Sequence, residues 1–167
     1  MVQFLQVSVS LILFTNKILV LMGRKSGWLI GAIGCALAII YLYLIELYVF
    51  TALEIGLIVL MLYGYFVKQN KNIHIENTIR IVIILSMMAI SYFAFAGLLT
   101  VFELISSAGL LFGTYYLTHN KTTLGWLLYC IGHLITAYIG YNKGQDFFAD
   151  FQIASAIVSI MGIIKKN

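Results

Sequence analysis

The sequence predicts an all-α integral membrane protein. Seven transmembrane helices are expected, as two parallel three-helix repeats joined by a linker helix, a 3+1+3 arrangement. Three observations carry that expectation. The chain has 167 residues, of which 62% are hydrophobic and only 10% charged, and its mean hydropathy is +1.02. Soluble domains average about 45–50% apolar and about 25% charged residues, so lipid has to be the solvent for this surface. The second observation is an internal repeat, a signal that outranks local ones. Laid without gaps over 27–69, the stretch 125–167 puts Gly125 and Trp126 on Gly27 and Trp28. It also puts Gly132 on Gly34, Tyr141 on Tyr43, Phe148 on Phe50, Gly162 on Gly64 and Lys166 on Lys68. Chance explains Leu and Ile matches in such a chain, but not its only two tryptophans coinciding, each after a glycine. The third observation is the distribution of basic residues, taken up below.

The spans are expected at 4–22, 27–45, 48–67, 77–97, 101–118, 125–141 and 147–164, each near the roughly 20 apolar residues a bilayer requires. The connections are short: GRKS, a tight turn at Glu46 and Leu47, KQNKNIHIE, a turn near 98–100, THNKTTL and NKGQD. No room remains for a soluble domain. The first apolar run reads as a span rather than a cleaved leader, since no polar domain follows it. Residues 1–67 form the first three-helix bundle, 68–100 the linker loop and linker helix, and 101–167 the second bundle. A three-span unit ends opposite to where it began, so one extra span lets its copy run the same way, about an axis along the membrane normal. The fourth span has no repeat partner. It is apolar all round except for Ser86 and Ser91, and is expected to be scaffold facing lipid or a neighbouring subunit.

Arg24, Lys25, Lys68, Lys71, Arg80, Lys121, Lys165 and Lys166 fall on one side and Lys143 on the other. Lys17, inside the first span, is expected to snorkel to the same basic side. The basic side is then cytoplasmic, with the amino terminus outside, the carboxyl terminus inside, and Glu46, Glu103 and Asp146 toward the outer face. The protein is placed in the cytoplasmic (inner) membrane as a multi-pass chain. The net charge of +4 therefore reports orientation, not nucleic-acid binding. Cys35 and Cys130 lie inside spans as packed thiols. Without proline, any hinge has to be glycine, and the Gly27–Gly31 and Gly109–Gly113 spacings suit close helix packing.

No phosphate-cradling loop, nucleophile elbow or metal-ligand spacing is present, so no enzyme, cofactor or metal is expected. The polar residues inside spans carry the functional signal, because ionisable groups there need water or a partner. Glu54 lies about two turns into the third span, at about 1.5 Å per residue, and its repeat mate is Gln152. They either line a site about the pseudo-two-fold axis or form a structural network near the outer interface. Asp150 reads as a solvated helix start. Trp126, Tyr129 and His133 share a helix face at i, i+3 and i+7. Trp126, at the cytoplasmic start of its span, suits an interfacial belt; it could instead stack on a substrate. His133 reads as a cavity residue or as a bonded core histidine. Asn16 faces the same middle from the first unit, and Thr114, Tyr115 and Tyr116 are further candidates. Gln6-x-x-x-Ser10 is echoed by Glu103-x-x-x-Ser107. Tyr41, Tyr43, Tyr63 and Tyr65 read as packing or belt residues.

The basic loop before Gly27-Trp28, the Leu53-Glu54-Ile55 block and the Leu62-Tyr63-Gly64-Tyr65 ending resemble the PnuC-type vitamin transporters. These include carriers of nicotinamide riboside and, in relatives, thiamine and riboflavin. The second half is similar too, with Trp126, Tyr129 and His133 where that family tends to have Trp-x-x-Trp-x-x-x-Asn. Tyr129 and His133 are departures from that pattern and bear on substrate more than on fold. The resemblance implies a fold similar to the SWEET sugar carriers, although their Pro-Gln hinges are absent. It also implies a central site between the bundles, a homotrimer, and facilitated uptake trapped by cytoplasmic phosphorylation. The expected function is facilitated uptake of a small polar heteroaromatic metabolite, nicotinamide riboside or a related vitamin, by alternating access. Trp126 and Tyr129 would stack on the ring, a cationic ring being attracted by about 0.5–2 kcal/mol. Glu54, His133, Gln152 and Asn16 would supply polar contacts. The alternatives are a sugar-type facilitator on the same fold, or a non-transporting scaffold or assembly protein that lost the site.

Overall fold

The computed structural model describes residues 2–66, 97–119 and 122–165, together with Asn77, Ile81, Ile84, Leu85, Met88 and Tyr92. The described chain is all-α. Its helices are α1 (Val2–Leu21), α2 (Ser26–Leu44), α3 (Tyr48–Phe66), α4 (Leu98–Thr118), α5 (Thr122–Asn142) and α6 (Asp146–Ile164). Apart from those six positions and Gly97, the expected fourth span lies outside the described residues. So do Lys68, Lys71, Arg80, Lys121 and Lys166.

Two boundaries correct the sequence reading. The turn expected near 98–100 is already helix: the break falls at Gly97, whose φ of 88° lies where only glycine is at ease. Helix α5 begins at Thr122 rather than 125. Apolar patterning marks the lipid-soluble stretch, while backbone hydrogen bonding persists beyond it into the polar interface.

Helices α1, α2 and α3 pack in succession, as do α4, α5 and α6, and the two triples meet where α1 touches α6 and α3 touches α4. The contacts at the two ends are distinct. At one end Lys165 Nζ donates to Leu21 O at 3.0 Å, joining the carboxyl ends of α6 and α1. At the other, Tyr41 OH donates to Gln145 Oε1 at 3.1 Å, joining the end of α2 to the α5–α6 turn. Outward faces are apolar, as at Ile33, Ile55, Leu134 and Ile157. Water would not tolerate so continuous an apolar surface. Helices α1, α2, α3, α5 and α6 are long and apolar enough to cross a membrane, and the chain is a multi-pass membrane protein. Helix α4 carries Glu103, Ser106, Ser107 and Thr114, all of which it buries in the bundle.

The α2–α3 and α5–α6 turns match bond for bond at repeat-related positions. Leu47 N–H bonds Leu42 O at 3.0 Å, and Gln145 N–H bonds Gly140 O at 2.9 Å. Glu46 N–H bonds Tyr43 O at 3.2 Å, and Gly144 N–H bonds Tyr141 O at 3.1 Å. Both turns end their helix on a left-handed residue, Glu46 at φ 61° and Gly144 at φ 66°. A left-handed cap suits glycine and strains other residues. Glu46→Gly is therefore expected to raise stability by about 0.5–1 kcal/mol, read as a higher midpoint in detergent unfolding. Gly144→Glu is expected to lower it.

The tryptophans also match. A Cβ added to Gly64 would meet the Trp28 ring at 3.2 Å, and one added to Gly162 would meet Trp126 Cε2 at 2.5 Å. Each indole thus lies on the glycine that is the repeat mate of the other's. Trp126 is only 4% exposed, so it is no belt residue facing lipid headgroups.

Lys17 departs most from expectation. It does not snorkel outward: its residue is 7% exposed and lines the space between the triples. The reason is positional. Gln6, Ser10 and Lys17 fall on one face of α1, at i, i+4 and i+11, and all three are buried.

Candidate functional site

A cavity lies between the two triples and takes lining residues from all six helices. Five of the six candidate residues line it: Asn16 from α1, Glu54 from α3, Tyr129 and His133 from α5, and Gln152 from α6. The sixth, Trp126, stands behind them. It packs on Gly162, with its ring centroid 5.9 Å from that of Tyr129. Tyr129 in turn lies 5.4 Å from His133, the planes tilted by 33°. The three rings form one ladder along α5, as their spacing requires.

Asn16, Tyr129 and Thr136 are held from behind. Asn16 Nδ2 donates to Gly27 O at 2.8 Å across the α1–α2 contact. Gly31 permits this approach, since a Cβ there would come within 2.5 Å of Asn16 Nδ2. Tyr129 OH shares a 2.8 Å hydrogen bond with Thr114 Oγ1 of α4. Ser106 Oγ and Thr136 Oγ1 lie 2.6 Å apart and both reach Gly132 O; their two hydrogens make two of these three bonds at a time, fixing α4 to α5. Of the other candidates, Tyr115 and Tyr116 stack on each other away from the cavity. Asp150 is exposed and accepts from Tyr141 OH at 2.6 Å. Gln6, Ser10, Glu103 and Ser107 are all buried.

His133 Nδ1 and Gln152 Oε1 are 2.7 Å apart. An amide oxygen only accepts, so Nδ1 carries the hydrogen and, in the neutral ring, Nε2 presents a lone pair. Among the described residues that Nε2 atom has no hydrogen-bond partner, and neither does Glu54 Oε2. Leaving buried polar atoms unpaired is costly, and both belong to residues lining the cavity. Glu54 lies within electrostatic range of Lys17 and beside the Cys35 thiol, which is also 3.8 Å from Met61 Sδ. Among the described residues, no group of three His, Cys, Asp or Glu side chains could hold a metal ion.

The lining is paired across the repeat. Cys35 is the mate of His133, Ala38 of Thr136, Phe50 of Phe148 and Glu54 of Gln152, and all eight line the cavity. Sequence reasoning missed Cys35, although its position as the mate of His133 marked it. It also missed Lys17, although the polar face of α1 marked that residue. The cavity volume is about 50 Å3, room for a few waters and well short of the roughly 300 Å3 of a small-ligand pocket.

Comparison of the chain with family models, with curated proteins and with solved structures returns no match.

Proposed function

We propose that this protein is a carrier that moves a small polar heteroaromatic metabolite across a membrane by alternating access. The observation that carries the reading is the cavity between two helix triples, mostly apolar in its wall but set with polar and ionisable groups, with matched positions of each triple facing it. Buried polar and ionisable groups inside a membrane bundle mark a pathway far more often than a packing core. Two unpaired acceptors in that cavity suit a guest that arrives and leaves.

The full architecture belongs to this proposal: seven spans, in two parallel repeats joined by a linker helix. The end contacts support it. The carboxyl ends of α1 and α6 meet, and the end of α2 meets the α5–α6 turn. Two triples running in the same sense would make both contacts. In the closed arrangement a nucleoside-sized guest does not fit, so the triples have to rock apart at one end, breaking either the Tyr41–Gln145 or the Lys165–Leu21 contact. The resemblance to PnuC-type transporters supports a vitamin as substrate, a homotrimer, and a cytoplasmic carboxyl terminus in the inner membrane. Tyr129 and His133 would offer the ring face, Trp126 would brace Tyr129, and Glu54, Gln152 and Asn16 would supply polar contacts.

One observation favours a second reading. The narrowness of the cavity is also what a non-transporting scaffold with a relict site would have. Uptake into proteoliposomes separates the two. Labelled nicotinamide riboside, thiamine or riboflavin is expected to enter, with Glu54→Gln and His133→Ala each slowing entry at least tenfold. Folded protein that admits none of the three would remove the vitamin-carrier reading.

A further inference from the structure

The position of Lys17 bears on which guests the cavity accepts, granted the carrier reading above. The cavity contains one basic and one acidic side chain, Lys17 from α1 and Glu54 from α3, each within electrostatic range of the other. Their charges balance. The other polar lining groups are dipoles: Asn16, Tyr129, Thr136, Gln152 and the imidazole of His133. A permanently cationic guest would therefore add an uncompensated charge to a site surrounded by lipid, and an uncharged guest would not. Lys17 also opposes the pull that the Tyr129 ring face exerts on a cation.

The unpaired atoms add the second half. Glu54 Oε2 and His133 Nε2 are buried without partners, on residues only 8% and 3% exposed. The Nδ1 hydrogen of His133 is committed to Gln152, so both open atoms are acceptors. They are satisfied by a guest that brings N–H or O–H donors. We infer that the cavity selects an uncharged flat ring bearing such donors over its permanently cationic counterpart, with Lys17 as the discriminating group.

Nicotinamide riboside and its 1,4-dihydro form test this directly. The two share ribose and carboxamide and differ by the charge of the ring. Calorimetric titration of the purified full-length protein is expected to show the dihydro form binding at least tenfold more tightly. In Lys17→Met the carboxylate of Glu54 stands alone, and the preference is expected to invert. Glu54→Gln leaves Lys17 alone and is expected to widen the preference, which keeps the test open if Lys17→Met does not fold. Equal or tighter binding of the pyridinium form to the unaltered protein would overturn the inference while leaving a heteroaromatic carrier intact. So would a ratio that neither variant changes. Binding of neither form would instead remove the nicotinamide-nucleoside substrate and, with it, this inference.

Discussion

Lys17→Met is expected to destabilise the protein by about 1–3 kcal/mol, because it leaves the carboxylate of Glu54 without the opposite charge that lines the same cavity. Residues 17 and 54 are 7% and 8% exposed, so bulk water does not replace the missing partner. The double variant Lys17→Met/Glu54→Gln removes both charges and is expected to return to within about 1 kcal/mol of the unaltered protein. Unfolding midpoints in detergent for the two single variants and the double variant close the cycle. A snorkelling lysine would give another pattern: little loss in Lys17→Met, and no recovery when Glu54 is also replaced. The same cycle thus tests where the Lys17 side chain goes, on which the selection against cationic guests depends.

Gly162→Ala is expected to cost about 2–3 kcal/mol, at the upper end for overpacking a helix contact. The new Cβ would lie 2.5 Å from Trp126 Cε2, too close for any atom pair. The indole cannot retreat freely, because Tyr129 and its bond to Thr114 stand on the other side. The repeat-related Gly64→Ala puts its Cβ at 3.2 Å from Trp28. There the ring has to give by only a few tenths of an ångström, and the expected cost is under about 1 kcal/mol. The pair of variants separates a shared architecture from an unequal fit. Because the indole braces Tyr129, Gly162→Ala is also expected to reduce uptake, whereas Gly64→Ala is not.

The correspondence between the two halves is written in rare residues, and both tryptophans take a glycine contact in the structure. Tryptophan and glycine are the two sides of one contact in each half, and a contact that close restricts both positions. The α5 ladder was legible because helical spacing fixes which residues share a face. Gln152 as the mate of Glu54 was legible from the same alignment, and His133 proved to bond it. Lys17 was not, because one lysine near the end of an apolar span has two physical options. Only the burial of Gln6 and Ser10 on the same face decides between them. Trp126 was read as interfacial or substrate-facing; its residue is buried, and Gly162 receives its ring. Helix starts were misplaced at α4 and α5, since hydropathy reports the bilayer and not the last hydrogen bond. The strained cap at Glu46 had no sequence signal of its own, because the residue type argues against the conformation. Its mate Gly144 was the indication.

Parallel duplication is the claim on which the carrier reading stands, and labelling from one side of the membrane tests it. Lys25 and Thr123 are repeat mates, as are Glu46 and Gly144, and all four are exposed. Single cysteines at these positions, in a background where Cys35 and Cys130 are replaced by serine, can be reacted with an impermeant maleimide on intact cells. Lys25→Cys and Thr123→Cys are expected to stay unlabelled until the membrane is opened, while Glu46→Cys and Gly144→Cys label at once. Repeat mates that label from opposite sides would mean inverted halves and would contradict the account.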